Sequence, residues 1–90
     1  MKRAIITVLG KDTVGILARV TAECAAHHIN VLEVTQSILQ DMFAMIMMVD
    51  VAASDIPFTQ FVDTLDGVGK EMGLSIHTMH EDIFHTMHHI

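Results

Sequence analysis

Ninety residues make room for one domain, since single cores typically run from about 50 to 250 residues. With 51% hydrophobic residues, eight methionines and neither Trp nor Tyr, aliphatic side chains have to fill the interior. Eleven acidic residues against five Lys/Arg give a net charge of −6, and no basic cluster follows Lys2-Arg3; nucleic acid and anionic membrane are therefore poor partners.

A chain of this length buries only roughly 60–65% of the surface its unfolded form exposes, so it depends on dense packing or on a partner. Cys24 is the only cysteine, which excludes an intrachain disulfide and points to a reducing compartment, the cytoplasm. The apolar run from Ala4 to Leu9 stops at Gly10-Lys11-Asp12. No segment approaches the roughly 20 apolar residues that a spanning helix needs, and a soluble protein is expected.

Residues 3–9 read as a strand with both faces apolar: Ile5, Thr7 and Leu9 on one, Ala4, Ile6 and Val8 on the other. Such a pattern marks a central strand covered on two sides. After the loop Gly10-Lys11-Asp12-Thr13-Val14-Gly15, the residues Ile16, Leu17, Val20, Thr21, Cys24, Ala25 and His28 recur at helical spacing. Asp12 or Thr13 is the expected N-cap, and Arg19 with Glu23 an i,i+4 ion pair.

Residues 30–39 form a half-buried strand, with Leu32, Val34 and Ile38 on one face and Glu33, Thr35 and Ser37 on the other. Gln40-Asp41 makes a two-residue hairpin connection to a third strand over 42–52, again apolar on both faces. Ser54 or Asp55 is expected to cap a second helix, with Pro57 in its first turn and Phe58, Phe61, Val62, Leu65, Val68 and Met72 as its buried stripe. Gly73 ends that helix in the left-handed region, Leu74 to His80 is the fourth strand, and 81–90 is a short closing helix or tail.

The order βαββαβ with right-handed crossovers predicts an α+β, ferredoxin-like sandwich: a four-stranded antiparallel sheet with two helices on one face. The other face is then left bare. Because strands 1 and 3 are apolar on both sides, that face is expected to be an interface between copies of the chain.

Motifs for chemistry are few. Gly10 and Gly15 have P-loop spacing, but Ile16 and Leu17 follow where Lys and Ser/Thr are required. Gly67, Gly69 and Gly73 lie in and after a helix, not between strand and helix, and serve close packing and a helix stop. Cys24 falls on the apolar stripe of helix 1 and reads as a small buried hydrophobe, so no nucleophile stands out and no enzyme or cofactor is expected. The methionines Met42, Met45, Met47 and Met48 fill core and interface, since Met47 and Met48 point to opposite faces. His77, His80, His85, His88 and His89 fall within thirteen residues, and His85 with His89 has the i,i+4 spacing that lets two imidazoles reach one metal.

Strand 1 running into Gly10-Lys11-Asp12-Thr13-Val14-Gly15-Ile16-Leu17-Ala18-Arg19-Val20 resembles the signature of the ACT domain family, D-x-x-G-[IL]-[IL]-x-x-[IV]. Ala25 to Leu32 matches the small-residue helix end, Asn and strand that follow in that family, and Glu81 to His88 is similar to the tail of the single-domain bacterial UPF0237 group. The resemblance implies a regulatory domain that binds an amino acid or another small molecule, often at a dimer interface. By position it implies Asp12, Thr13, Val14, Gly15 and Ile16 as the ligand-facing loop, and Asn30 and Val31 at the start of strand 2 as a second contact. The chemistry suits the assignment: helix N-terminal N–H groups favour a carboxylate, Gly15 leaves room for close approach, and Asn30 offers both donor and acceptor. Many family members carry Pro where Val14 stands, and a chain of one domain is expected to have no output domain of its own. The expectation is a homodimer acting on a separate protein; a ligand-free protein–protein adaptor and a metal binder through the histidine tail are the alternatives.

Overall fold

The structure, a computed structural model, describes residues 1–11 and 14–83, with Leu39 through its backbone. β1 (Arg3–Lys11), α1 (Ile16–Ala26), β2 (Asn30–Leu39), β3 (Met42–Asp50), α2 (Phe58–Met72) and β4 (Ser75–His80) follow in the expected order. The sheet order is β2-β3-β1-β4 and every neighbouring pair is antiparallel. The two strands with apolar residues on both faces, β1 and β3, are the two central ones.

One sheet face carries the core. Ala4, Ile6 and Val8 of β1, Phe43, Met45, Met47 and Val49 of β3, and Ile76 of β4 pack with Ile16, Val20 and Cys24 of α1 and Phe61, Leu65 and Val68 of α2. Both helices therefore cover the same side, because both crossovers turn in the same sense. Apolar side chains alone fill it: among the described residues no polar or charged residue is buried.

The alternation in β2 is broken by a bulge. The register with β3 shifts between Val31 and Glu33, so two residues oppose one at Leu32. Val31 and Val34 both turn towards the core, while Leu32 is 39% exposed rather than sharing a face with Val34. A period of two read along the sequence cannot register an inserted residue.

The helix ends differ from expectation at three points. Gly15, not Asp12 or Thr13, occupies the N-cap position of α1, with φ 88°. Pro57 occupies that position in α2; Ser54 bonds instead with the backbone of Ile56, and Asp55 with His27. His28 has left the helix for the left-handed region at φ 59°. Gly73 ends α2 as expected: at φ 73° its N–H donates to Lys70 O, and the Leu74 N–H donates to Gly69 O at 2.7 Å.

Two helical glycines that look alike in sequence have opposite surroundings. A Cβ on Gly69 would lie 2.8 Å from the carbonyl oxygen of Leu74, whereas one on Gly67 would meet no described atom within 4 Å. Close packing thus explains Gly69 and not Gly67. Gly67→Ala is expected to stabilise the fold by about 0.5–1 kcal/mol through helix propensity, and Gly69→Ala to destabilise it. Paired thermal melts check the opposite signs.

Candidate ligand-binding site

The loop singled out in the sequence lies where β1 ends. Asp12 and Thr13 fall outside the described residues. Val14 is 99% exposed and Ile16 is 3% exposed, so one side chain meets solvent while the other anchors the first helical turn in the core. Between them, Gly15 holds a left-handed conformation with no atom of the described residues within 4 Å of where a Cβ would stand. That conformation costs an ordinary L-residue roughly 1–2 kcal/mol, and the open space leaves the backbone at the helix N-terminus approachable. The Gly15 carbonyl accepts the Arg19 N–H at 2.9 Å, which starts the helical ladder.

Arg19, one turn into α1, is not available to an anion there. Its guanidinium pairs with Glu23 on the same helix and with Glu71 of α2 at 3.3 Å. The hydrogen bonds that Arg19 donates to Glu23 and then to Glu71 hold its pKa above the ordinary arginine value. Beside the expected i,i+4 pair, the bond from Arg19 to Glu71 thus ties α1 to α2.

Asn30 and Val31 stand at the other end of the sheet. Asn30 pairs in register with Asp50, and so does Arg3 at the start of β1. The loop, by contrast, follows Lys11, whose register partner Met42 also pairs with Leu39. A nine-residue strand separates the two ends, roughly 26 Å at about 3.3 Å per residue. One chain brings Val14, Gly15 and Ile16 together and Asn30 and Val31 together, but not the two groups to each other.

The approach to Asn30 is fastened by a contact that no spacing in the sequence reveals. His27 Nδ1 lies 2.9 Å from an Asp55 carboxylate oxygen, and the Asp55 N–H donates to the His27 carbonyl at 3.2 Å. The two residues come from the α1–β2 and β3–α2 connections, 28 positions apart. Their meeting depends on how the connections fold back over the end of the sheet.

The remaining candidates resolve by geometry. His80 stacks on Phe58 of α2 with ring centroids 4.0 Å apart, while His77 Nε2 lies 3.1 Å from Ser75 Oγ. Three positions apart on β4, they project to opposite faces and cannot share an ion. His85, His88 and His89 lie outside the described residues, and among those described no group of three His, Cys, Asp or Glu could hold a metal. Cys24 is fully buried, and desolvation pushes its thiol up to about 11, so it stays protonated at neutral pH and is no nucleophile. Met45 and Met47 are in the core; Met48 is half-buried on the opposite face. A depression of about 460 Å³ opens among Met1, Lys2, Arg3, His80, Glu81 and Asp82, remote from the loop.

The family model of the ACT domain matches residues 2–79. The chain belongs to the ACT domain family. A UPF0237 protein from Bifidobacterium longum is 44% identical over 90 residues, covering all of both chains. One from Clostridium acetobutylicum is 43% identical over 98% of this chain and 99% of its own length, and one from the archaeon Methanopyrus kandleri is 36% identical over the whole of both. Among solved structures, an ACT domain protein from Streptococcus pneumoniae superposes with a TM-score of 0.79 at 30% identity, covering 92% of this chain and 93% of that one. The ligand-free regulatory subunit of aspartate kinase from Thermus thermophilus gives a TM-score of 0.64 at 25% identity, over 86% of this chain and 50% of its own. A formyltetrahydrofolate deformylase from Pseudomonas syringae shares the fold at 17% identity and a TM-score of 0.80, over 89% of this chain and 28% of its own. ACT domains are typically regulatory and bind small molecules. In this ACT domain no described helix is long and apolar enough to cross a membrane.

Proposed function

We propose that this ACT domain is a cytoplasmic sensor that binds an amino acid between two copies of the chain and signals to a separate protein. The observation that carries the reading is the opening at Gly15, where an approachable backbone meets the N-terminus of α1. Helix N-terminal N–H groups and the dipole behind them favour a carboxylate.

The distance between Gly15 and Asn30 supports a site shared by two chains. β2 is an edge strand, with one row of backbone groups unpaired in the sheet. Pairing two such edges antiparallel about a two-fold axis sets the start of one β2 beside the end of the other. The second copy's Asn30 and Val31 then approach the first copy's loop of Asp12, Thr13, Val14, Gly15 and Ile16. Asn30 supplies a donor and an acceptor to the polar groups of the ligand.

A thermal-shift screen against the twenty amino acids, with and without EDTA, tests the proposal. A ligand present at about 100 times its Kd adds roughly 2.7 kcal/mol, a clear rise in melting temperature for a domain of this size. One amino acid standing out supports the sensor. A flat screen removes it in favour of an adaptor, and a response to EDTA alone favours a metal held by the histidine tail.

A further inference from the structure

Ile5 is buried on the side of the sheet that carries no helix. Alternation along β1 sets Arg3, Ile5, Thr7 and Leu9 on that side, opposite Ala4, Ile6 and Val8 in the core. Leu9, and Ile46 beside Thr7 on β3, are 50% and 43% exposed there, yet Ile5 is 2% exposed. Its neighbours in register, Met48 on β3 and Met79 on β4, are half-buried. Neighbours in a sheet stand beside a side chain and leave its tip open, so burial this deep needs a layer above. The burial arises within a single copy of the chain.

We propose that the chain's own C-terminal segment, residues 84–90, is that layer and crosses the helix-free face over Ile5, Met48 and Met79. The path of the chain is the first argument. His80, the last residue of β4, faces the helices and stacks on Phe58. Glu81 then turns to the opposite face, where Arg3 Nη2 donates to its Oε1 at 2.9 Å. Arg3 shares the face of Ile5, so the chain leaves β4 on the side that needs a cover. The other segments at this end do not supply one. The α1–β2 and β3–α2 connections join helices on the far face, and Met1 and Ile83 are exposed.

Length and composition are the second argument. The residues after Ile83 reach at most roughly 23 Å, whereas the crossing from β4 over β1 to β3 takes about 10 Å. They include no Asp, Glu, Lys or Arg, and Phe84, Met87 and Ile90 recur at every third position, apolar groups to set against Ile5 and the two methionines. The face expected to be bare is thereby divided. Its half around Ile5 is closed by the chain itself, and the half around Leu9, Ile46 and Met42 stays open to another molecule. The contact lies at the other end of β1 from Gly15 and is independent of the ligand site.

Methionine oxidation of the full chain by dilute peroxide, read residue by residue by mass spectrometry, tests the cover. Met42 is the exposed reference on the same face, and Met45 and Met47 are the core references. In the wild type, Met48 and Met79 are expected to oxidise more slowly than Met42. In Phe84→Glu and in Met87→Glu their rates should rise to that of Met42, with Met45 and Met47 still protected. Unchanged rates in both folded variants overturn the proposal. So does protection that disappears when the wild type is diluted, which assigns the cover to a second copy. If the substitutions unmask Met45 and Met47 as well, the fold itself has opened, and nuclear Overhauser contacts in the wild type decide. Ile5 methyl groups in contact with Phe84, Met87 or Ile90 support the cover, and the absence of any such contact overturns it.

Discussion

Phe61→Ala is expected to destabilise the domain by about 3–5 kcal/mol, the range for removing a fully buried aromatic side chain. Phe61 is 0% exposed and heads the largest fully buried side chains. It sits on the α2 stripe with Leu65 and Val68, packed in the cluster that joins α2 to the sheet. The loss combines the transfer of a ring to water with the cavity left behind, and no polar residue lines that core for water to satisfy. Against a total stability of about 5–15 kcal/mol, such a loss leaves a marginal protein. Melting should fall by roughly 15–30 °C in a thermal scan. Val62→Ala, at a half-buried position on the same helix, is the comparison and should cost much less. Similar losses for both would mean that α2 packs with a different face than the one described.

Gly15→Val should abolish the amino-acid response while leaving the assembly intact. Two effects act together. A β-branched residue at φ 88° is strained, and its side chain fills the space in front of the first helical turn. Gly15→Ala separates them, since among the described residues its Cβ meets no atom within 4 Å and brings chiefly the backbone strain. The expected order of affinity, read by isothermal titration with the amino acid found in the screen, is wild type, then Ala, then Val with no measurable binding. Asn30→Ala should weaken the same binding without lowering the melting temperature of the free domain, because Asn30 is exposed at a strand end. Undiminished affinity in Gly15→Val would place the ligand elsewhere on the molecule.

The regular elements were legible because each rests on a local period. Of the predicted α1 stripe Ile16, Val20 and Cys24 are buried and Thr21 half-buried, while Leu17, Ala25 and His28 are exposed; on α2 Phe61, Leu65 and Val68 are buried and Phe58, Val62 and Met72 half-buried. Gly73 was readable as a helix stop because few residues other than glycine take φ 73° without strain. The Gln40-Asp41 hairpin was readable from its length, although the residue that takes the left-handed turn is Gln40 at φ 59°. Where a choice depended on contacts from afar, the pattern misled. The Leu32 bulge, the capping of α2 and the surroundings of Gly67 all depend on what lies across the sheet or above the helix.

The site divides in the same way. A loop with glycine before an apolar helix can be recognised by motif, and the structure adds the φ of 88° and the open space at Gly15. That Asn30 stands at the far end of the sheet from this loop follows only from strand order and register, which set β1 and β2 parallel on either side of β3. The clip from His27 to Asp55 belongs to the same class, as does the commitment of Arg19 to Glu71.

By itself the sequence determined the elements, their order, the apolar character of the interior and the family, because each is written in residues that are neighbours along the chain. The tertiary structure decided which ends of those elements meet. That choice is made by long-range pairing, whose partners are tens of residues apart and leave no period to read.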